Sequence, residues 1–191
     1  MGEIAVLNKD IANHLKASMS GKRYDHTLGV AGTAKKLAEI HGADHDKAET
    51  AALLHDAARD FNHEYILQMC QKYNITADEV EKAVPDLLHA KIGACMAGDI
   101  YGIKDSEVLD AIRFHTTGRK NMSILEKIIF IADMIEPGRD FPGVEDLREL
   151  AFKNLDKAVI TGLDSTLRYV IERGLLIHTD SIEARNHLLG C

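Results

Sequence analysis

Apolar residues recur every three or four positions along almost the whole chain, and each run is closed by residues that end helices. That period puts one side of a helix against a core, and a chain written in it throughout has little scope for a sheet. Ile4, Leu7, Ile11 and Leu15 share a face over residues 4–19, which Ser20 and Gly21 close. Lys22 and Arg23 open a second helix, 24–41, with Gly42 suited to the left-handed residue just past its end. A third starts at an Asp44 cap and carries Ala48, Ala51, Ala52, His55 and Asp56 at i, i+3, i+4, i+7 and i+8. Residues 64–73, and a capping box from Thr76 to Glu79, predict two shorter helices parted by Asn74. Pro85 and Asp86 begin a helix that Gly102 ends; Asp105 or Ser106 caps the next, which Thr116, Thr117 and Gly118 terminate. A Ser123–Glu126 box opens a helix stopped by Pro137 and Gly138. Residues 144–173 read as one long helix bent at Gly162 and stopped at Gly174, and Asp180 with Glu183 caps a last helix through Leu189.

Composition narrows the architecture further. A chain of 191 residues, 46% hydrophobic, buries one sizeable core, and with no tryptophan and 5% aromatics that core is built from aliphatic residues. The expected fold is all-α: a single compact multi-helix domain over residues 1–191, with its motifs in about 23–140 and C-terminal helices over about 144–190. A formal net charge of −7 argues against a broad phosphate-covering face, so no nucleic acid is expected as partner. A small phosphorylated ligand remains compatible, because a metal and a few arginines make a pocket locally positive. Cys70, Cys95 and Cys191 are odd in number and without C-x-x-C spacing, which disfavours disulfides and thiolate zinc and fits the reducing cytoplasm. The N-terminal stretch has no uninterrupted apolar run, so neither a signal segment nor a membrane partner is expected.

Against this background, six polar residues stand where core residues belong. His26 shares a face with Val30, Ala34, Leu37 and His41; His89 leads Ile92, Gly93, Met96 and Ile100; His115 follows Val108, Ala111 and Ile112; Asp133 follows Leu125, Ile129 and Ala132. The adjacent pair His55 and Asp56 ends the alanine stripe of residues 51–60, AALLHDAARD. One such histidine alone is an ordinary hydrogen-bonded core residue. The set is different, since buried carboxylates are costly and a divalent cation is one of the few partners that compensates several acids and imidazoles together.

The pieces RYDHTLGV, ALLHDAARD, LLHAKIGA, IRFHTTGR and IADMIEPGRDF, in that order between about residues 23 and 139, resemble the HD-domain metal-dependent phosphohydrolases. Within that family they look like the YqeK-type branch, similar in activity to symmetrical diadenosine tetraphosphate hydrolases. The resemblance implies that His26, His55, Asp56 and Asp133 bind metal, with His89 and His115 holding a second ion or the substrate phosphate. It also points to iron; imidazole and carboxylate without thiolate admit Mn or Zn as well. The substrate it implies is a small-molecule dinucleoside polyphosphate, with another nucleoside phosphate or a guanosine polyphosphate as the alternative, and a non-catalytic nucleotide sensor as the reading from another class. Phosphate oxygens gather charge as an anhydride breaks, which makes Arg139, in the turn after Asp133, the first candidate to hold them, followed by Arg23 and Arg59. Asp60 is the candidate to orient water, and Thr116 and Thr117 can donate hydroxyls to phosphate. His178, Thr179, Asp180, Ser181 and Glu183 open the last helix, whose free N–H groups suit an anion or a base edge. As plain structure, these same residues are solvated charges, turn formers and a cap.

Overall fold

In the computed structural model, residues 2–190 are described, with side chains from residue 7 onward. Ile4, as a side chain, and Cys191 lie outside the described residues. The all-α expectation holds, and among the described residues there is no strand. The helices run α1 (Gly2–Ser18), α2 (Gly21–His41), α3 (His45–Leu54), α4 (His63–Lys72), α5 (Glu79–Ala83), a 3-10 turn (Pro85–Leu87), α6 (Leu88–Tyr101), α7 (Ser106–Arg113), α8 (Ile124–Ile135), α9 (Val144–Lys153), α10 (Leu155–Glu172) and α11 (Thr179–Leu188). Among the described residues no helix is long and apolar enough to cross a membrane.

Helix α8 is the axis. Leu125, Ile128, Ile129, Phe130, Ile131, Ala132 and Ile135 are all buried, so it is apolar nearly all round, as a helix enclosed by others must be. Helices α2, α3, α7, α9 and α10 pack on it. The most extensive pairing is α2 with α3, where Ala31, Ala34 and Ala38 face a helix bearing the buried Ala48, Ala51 and Ala52. Small side chains on both partners let the backbones approach, and this closeness brings His26 to His55. A second cluster, Ala58, Ile66, Leu88 and Ile92, seats α4 and α6 beside the main core.

Several predicted boundaries moved, each for a local reason. Helix α2 begins three residues early, because the Ser20 hydroxyl accepts from Arg23 N and serves as its cap rather than closing α1. Helix α3 stops at Leu54 and does not reach Asp56. The His55 Nδ1–H donates to Ala52 O, and three-residue turns follow, Ala57 N to Leu54 O and Arg59 N to Asp56 O. The Thr76–Glu79 box is displaced by two residues: Asp78 is the cap and Glu81 its partner, a carboxylate being the better cap acceptor. Residues 144–173 form two helices, broken at Asn154, which ends α9 and caps α10 by accepting from Lys157 N. Gly162 is no bend; it is a contact, where a Cβ would stand 2.9 Å from Met134 Sδ and 3.1 Å from Phe130 Cε1. The final helix is capped by His178, whose Nδ1 accepts from Asp180 N, so Asp180 lies inside the helix.

Candidate metal centre and phosphate cleft

Asp56 lies at the centre of the polar cluster, 5% exposed, and presents its two oxygens to two different pairs of histidines. Its Oδ2 is 3.5 Å from His55 Nε2 and 3.7 Å from His26 Nε2, while Oδ1 is 3.3 Å from His89 Nε2 and 3.6 Å from His115 Nε2. Asp133, from the last turn of α8, adds Oδ1 at 3.0 Å from His26 Nε2 and 3.9 Å from His55 Nε2. His89 and His115 approach each other to 3.2 Å through Nε2. All six residues singled out by their core-facing positions therefore meet in one place.

Each imidazole is held by its other nitrogen. His55 donates from Nδ1 to Ala52 O at 2.7 Å, His115 to Ile112 O at 2.8 Å, and His89 to Asp86 O. All three use the carbonyl three residues earlier, which is within reach because each sits at or next to a helix end. His26 donates instead to Glu136 Oε1 at 3.1 Å. With the Nδ1 positions engaged, four Nε2 atoms point inward. Two of them, on His26 and His55, are buried and have no hydrogen-bond partner. Buried polar atoms are rarely left so, and here both face carboxylate oxygens.

The electrostatics pair ionised acids with two rings held neutral and two drawn toward the charged form. Burial lowers the His55 pKa to about 4, against the opposing pull of Asp56. Burial lowers that of His89 too. For His115 and His26 burial works in the same sense, but Asp56 beside the first and Asp133 beside the second carry them above the usual histidine value. Burial opposes the charge on Asp56, yet His55, His115 and His89 hold its carboxyl far below the ordinary carboxylate range. Asp133 behaves alike through His26, His55 and Arg139. His26, His55 and Asp56, then His55, His115 and Asp133, then Asp56, His89 and His115, each bring three donor atoms within 4.8 Å of one another. Nitrogen and carboxylate donors without thiolate, with unpartnered buried lone pairs among them, fit a divalent cation.

A cleft of about 1150 Å³ opens at the His26 side of this centre, lined among others by Arg23, His26, Asp60, Arg139 and Phe141. Arg23 reaches Asp56 Oδ2 at 2.6 Å and Asp60 Oδ1 at 3.4 Å; Arg139 pairs with Asp133 Oδ1. Arg59 stands apart, turned to the exposed Asp86 at 3.4 Å. Thr116 Oγ1 lies 3.2 Å from His115 Nε2, at the centre itself. Thr117 donates to Gly118 O, and its own carbonyl accepts from Ser181 Oγ at 2.9 Å. The start of α11 thus joins the centre through the Thr116–Thr117 loop. His178 is turned to Asp78, while Thr179 and Glu183 are exposed. Sequence reasoning missed Glu136, which carried one signal: it falls three residues after Asp133, on the same side of the helix end.

A family model described as the HD domain matches residues 23–138. The chain belongs to the HD-domain family. Among relatives of this HD-domain protein, the symmetrical bis(5'-nucleosyl)-tetraphosphatase of Halalkalibacterium halodurans is 43% identical over 92% of this chain and 93% of that one. The enzyme of the same name from Bacillus subtilis is 39% identical over 92% and 94%. A crystal structure from Clostridium acetobutylicum, described as a predicted HD superfamily hydrolase involved in NAD metabolism, superposes with a TM-score of 0.91 at 44% identity, covering 95% of this chain and 96% of that one.

Proposed function

We propose that this HD-domain protein hydrolyses dinucleoside polyphosphates, diadenosine tetraphosphate foremost, symmetrically into two molecules of ADP. The observation that carries the chemical half of this reading is the pair of buried, unpartnered Nε2 atoms on His26 and His55 beside Asp56 and Asp133. The nucleotide half is supported by relatives that carry that activity in their names and align over nearly their full length.

His26, His55, Asp56 and Asp133 are the proposed ligands, iron the proposed ion with Mn or Zn as substitutes, and His89 with His115 the holders of a second ion or of a substrate phosphate. A divalent ion there supplies Lewis acidity, which acidifies water and draws charge from a phosphoryl oxygen. No protein nucleophile is then needed. Water attacks one of the two inner phosphorus atoms, the bond to the bridging oxygen breaks, and ADP leaves. Arg23 and Arg139, at the cleft, hold the phosphate oxygens as charge collects there. Asp60, half-exposed and paired with Arg23, orients the attacking water. Thr116 supplies a hydroxyl beside His115, and Thr179, Asp180, Ser181 and Glu183 the contacts of one nucleoside. The site works inside a single helical domain acting in the cytoplasm.

Incubation of the purified protein with diadenosine tetraphosphate, with products resolved by chromatography, tests this reading. ADP alone is expected. ATP plus AMP would overturn the symmetrical cleavage, and no hydrolysis alongside turnover of a guanosine polyphosphate would move the assignment to the alternative substrate.

A further inference from the structure

We infer that Glu136 is the positioning residue of His26, fixing the ring so that Nε2 faces Asp56 and Asp133, and that Gly29 is required to leave its carboxylate room. The inference rests on the reading of the histidine cluster as a metal centre.

The four histidines divide three to one by their anchors. His55, His89 and His115 stand at or beside helix ends and take a carbonyl from the preceding turn. His26 is the sixth residue of a 21-residue helix, where carbonyls of the preceding turn are occupied by helical hydrogen bonds. An anchor for its Nδ1–H must come from another element, and Glu136, 110 residues away, provides it at 3.1 Å. The glutamate is itself held on every side. Its Oε2 accepts from Gly138 N at 2.6 Å, and Arg148 donates to the carbonyls of Ile135, Glu136 and Arg139, which fixes the turn that carries it. The carboxylate is buried against α2, where a Cβ on residue 29 would stand 2.6 Å from Oε2. A carboxylate behind a ligating imidazole fixes tautomer and orientation and makes the ring a stronger donor, an effect a backbone carbonyl exerts less. His26 is thus set apart from the other three, and Gly29, one turn beyond it on the same helix, is the cavity that makes this arrangement possible.

The test uses full-length protein stripped of metal and titrated with Co²⁺, followed by visible absorbance and by chelator competition. Glu136→Ala and Gly29→Ala are each expected to weaken Co²⁺ binding about 10- to 100-fold, the range typical of outer-shell partners. Glu136→Gln is expected to fall between them and the unaltered protein, because an amide oxygen still accepts from Nδ1. Gly29→Ala touches no ligand and favours the helix, so a loss there reports the displaced carboxylate. In the metal-free protein at alkaline pH, nitrogen NMR is expected to show the His26 proton on Nδ1, and to show it redistributed in Glu136→Ala. Glu136→Ala and Gly29→Ala proteins that are folded by circular dichroism and bind Co²⁺ as the unaltered protein does would overturn the inference, even if they melted earlier, since earlier melting alone marks a structural role. If Glu136→Ala does not fold, the other two variants decide. Failure of the unaltered protein to take up Co²⁺ would overturn the metal reading and this inference with it; uptake unaffected by the variants would overturn this inference alone.

Discussion

Two groups of side chains in this molecule offer the same donor types and differ in what those donors already hold. Around Asp56, imidazoles and carboxylates converge, and two buried nitrogens have no partner. Around His178, Asp78 and Glu81 supply two carboxylates and a ring that also fall within 4.8 Å of one another. Every one of those donors is engaged: His178 Nε2 lies 2.9 Å from Asp78 Oδ2, its Nδ1 accepts from Asp180 N, and Glu81 accepts from Asp78 N and from Lys91. The second group is a clasp that fastens α5 to α11. Donor chemistry and proximity are common to both, and unsatisfied buried lone pairs belong to one. That difference, more than residue type, marks a place for a cation.

Removing one histidine from each group separates the two most directly. His55→Ala is expected to abolish tightly held metal and lower ADP formation by more than about 100-fold, beyond the usual effect of an outer-shell change, whereas His178→Ala keeps its metal. Metal analysis of both purified variants decides, and a metal-free His178→Ala protein would mean that the clasp is a site after all. Next in size is Arg139→Ala, which removes a donor facing the cleft and paired with Asp133. Its kcat/KM for diadenosine tetraphosphate should fall about 10²- to 10³-fold, with metal content unchanged. Arg139→Lys should restore little, because an ammonium cannot present the planar fork; steady-state kinetics on the two variants check this.

Smaller effects belong to the clasp. His178→Ala removes a helix cap and the bond to Asp78, and should cost about 1 kcal/mol, or a melting temperature lower by roughly 2–4 °C in a chain of this size. Smallest is the dependence of the clasp on acid. The Glu81 N–H, against a slight opposing burial, and then His178, hold the Asp78 carboxyl below its usual value. A carboxylate depressed in the folded state stabilises above its unfolded pKa and loses that contribution as pH falls through the folded one. Asp78 is half-exposed, so the stabilisation is well under about 1 kcal/mol. The melting difference between the unaltered protein and Asp78→Asn should accordingly be small near neutrality, begin to shrink as pH falls below about 3.9, the unfolded value, and be lost only once pH has passed the depressed folded value; a difference that persists unchanged into strong acid would show that charge plays no part in the clasp.

Much of the candidate metal centre was legible because its residues interrupt an apolar period. His26, His89, His115 and Asp133 could be placed on core faces by counting along their own helices, without knowing what they would face. Glu136 and Gly29 were not legible in that way. Neither breaks a period, and their relation spans two helices brought together only by packing. The same holds for Gly162, which reads as a bend in one dimension and is a packing contact with Phe130 and Met134 in three.

By itself, then, the sequence determined the helical class, the order of the helices and the polar residues each would turn inward, because periodicity and capping are local energies settled within a few residues. The end of α3 at Leu54 is also local, since the His55 side chain takes the carbonyl of Ala52, three residues back. Tertiary structure decided which of these residues would meet. It also decided that Asp56 would divide its oxygens between two histidine pairs, and that an acid 110 residues from His26 would hold that ring. These outcomes depend on how closely alanine-lined helices approach, a distance fixed by packing across the core.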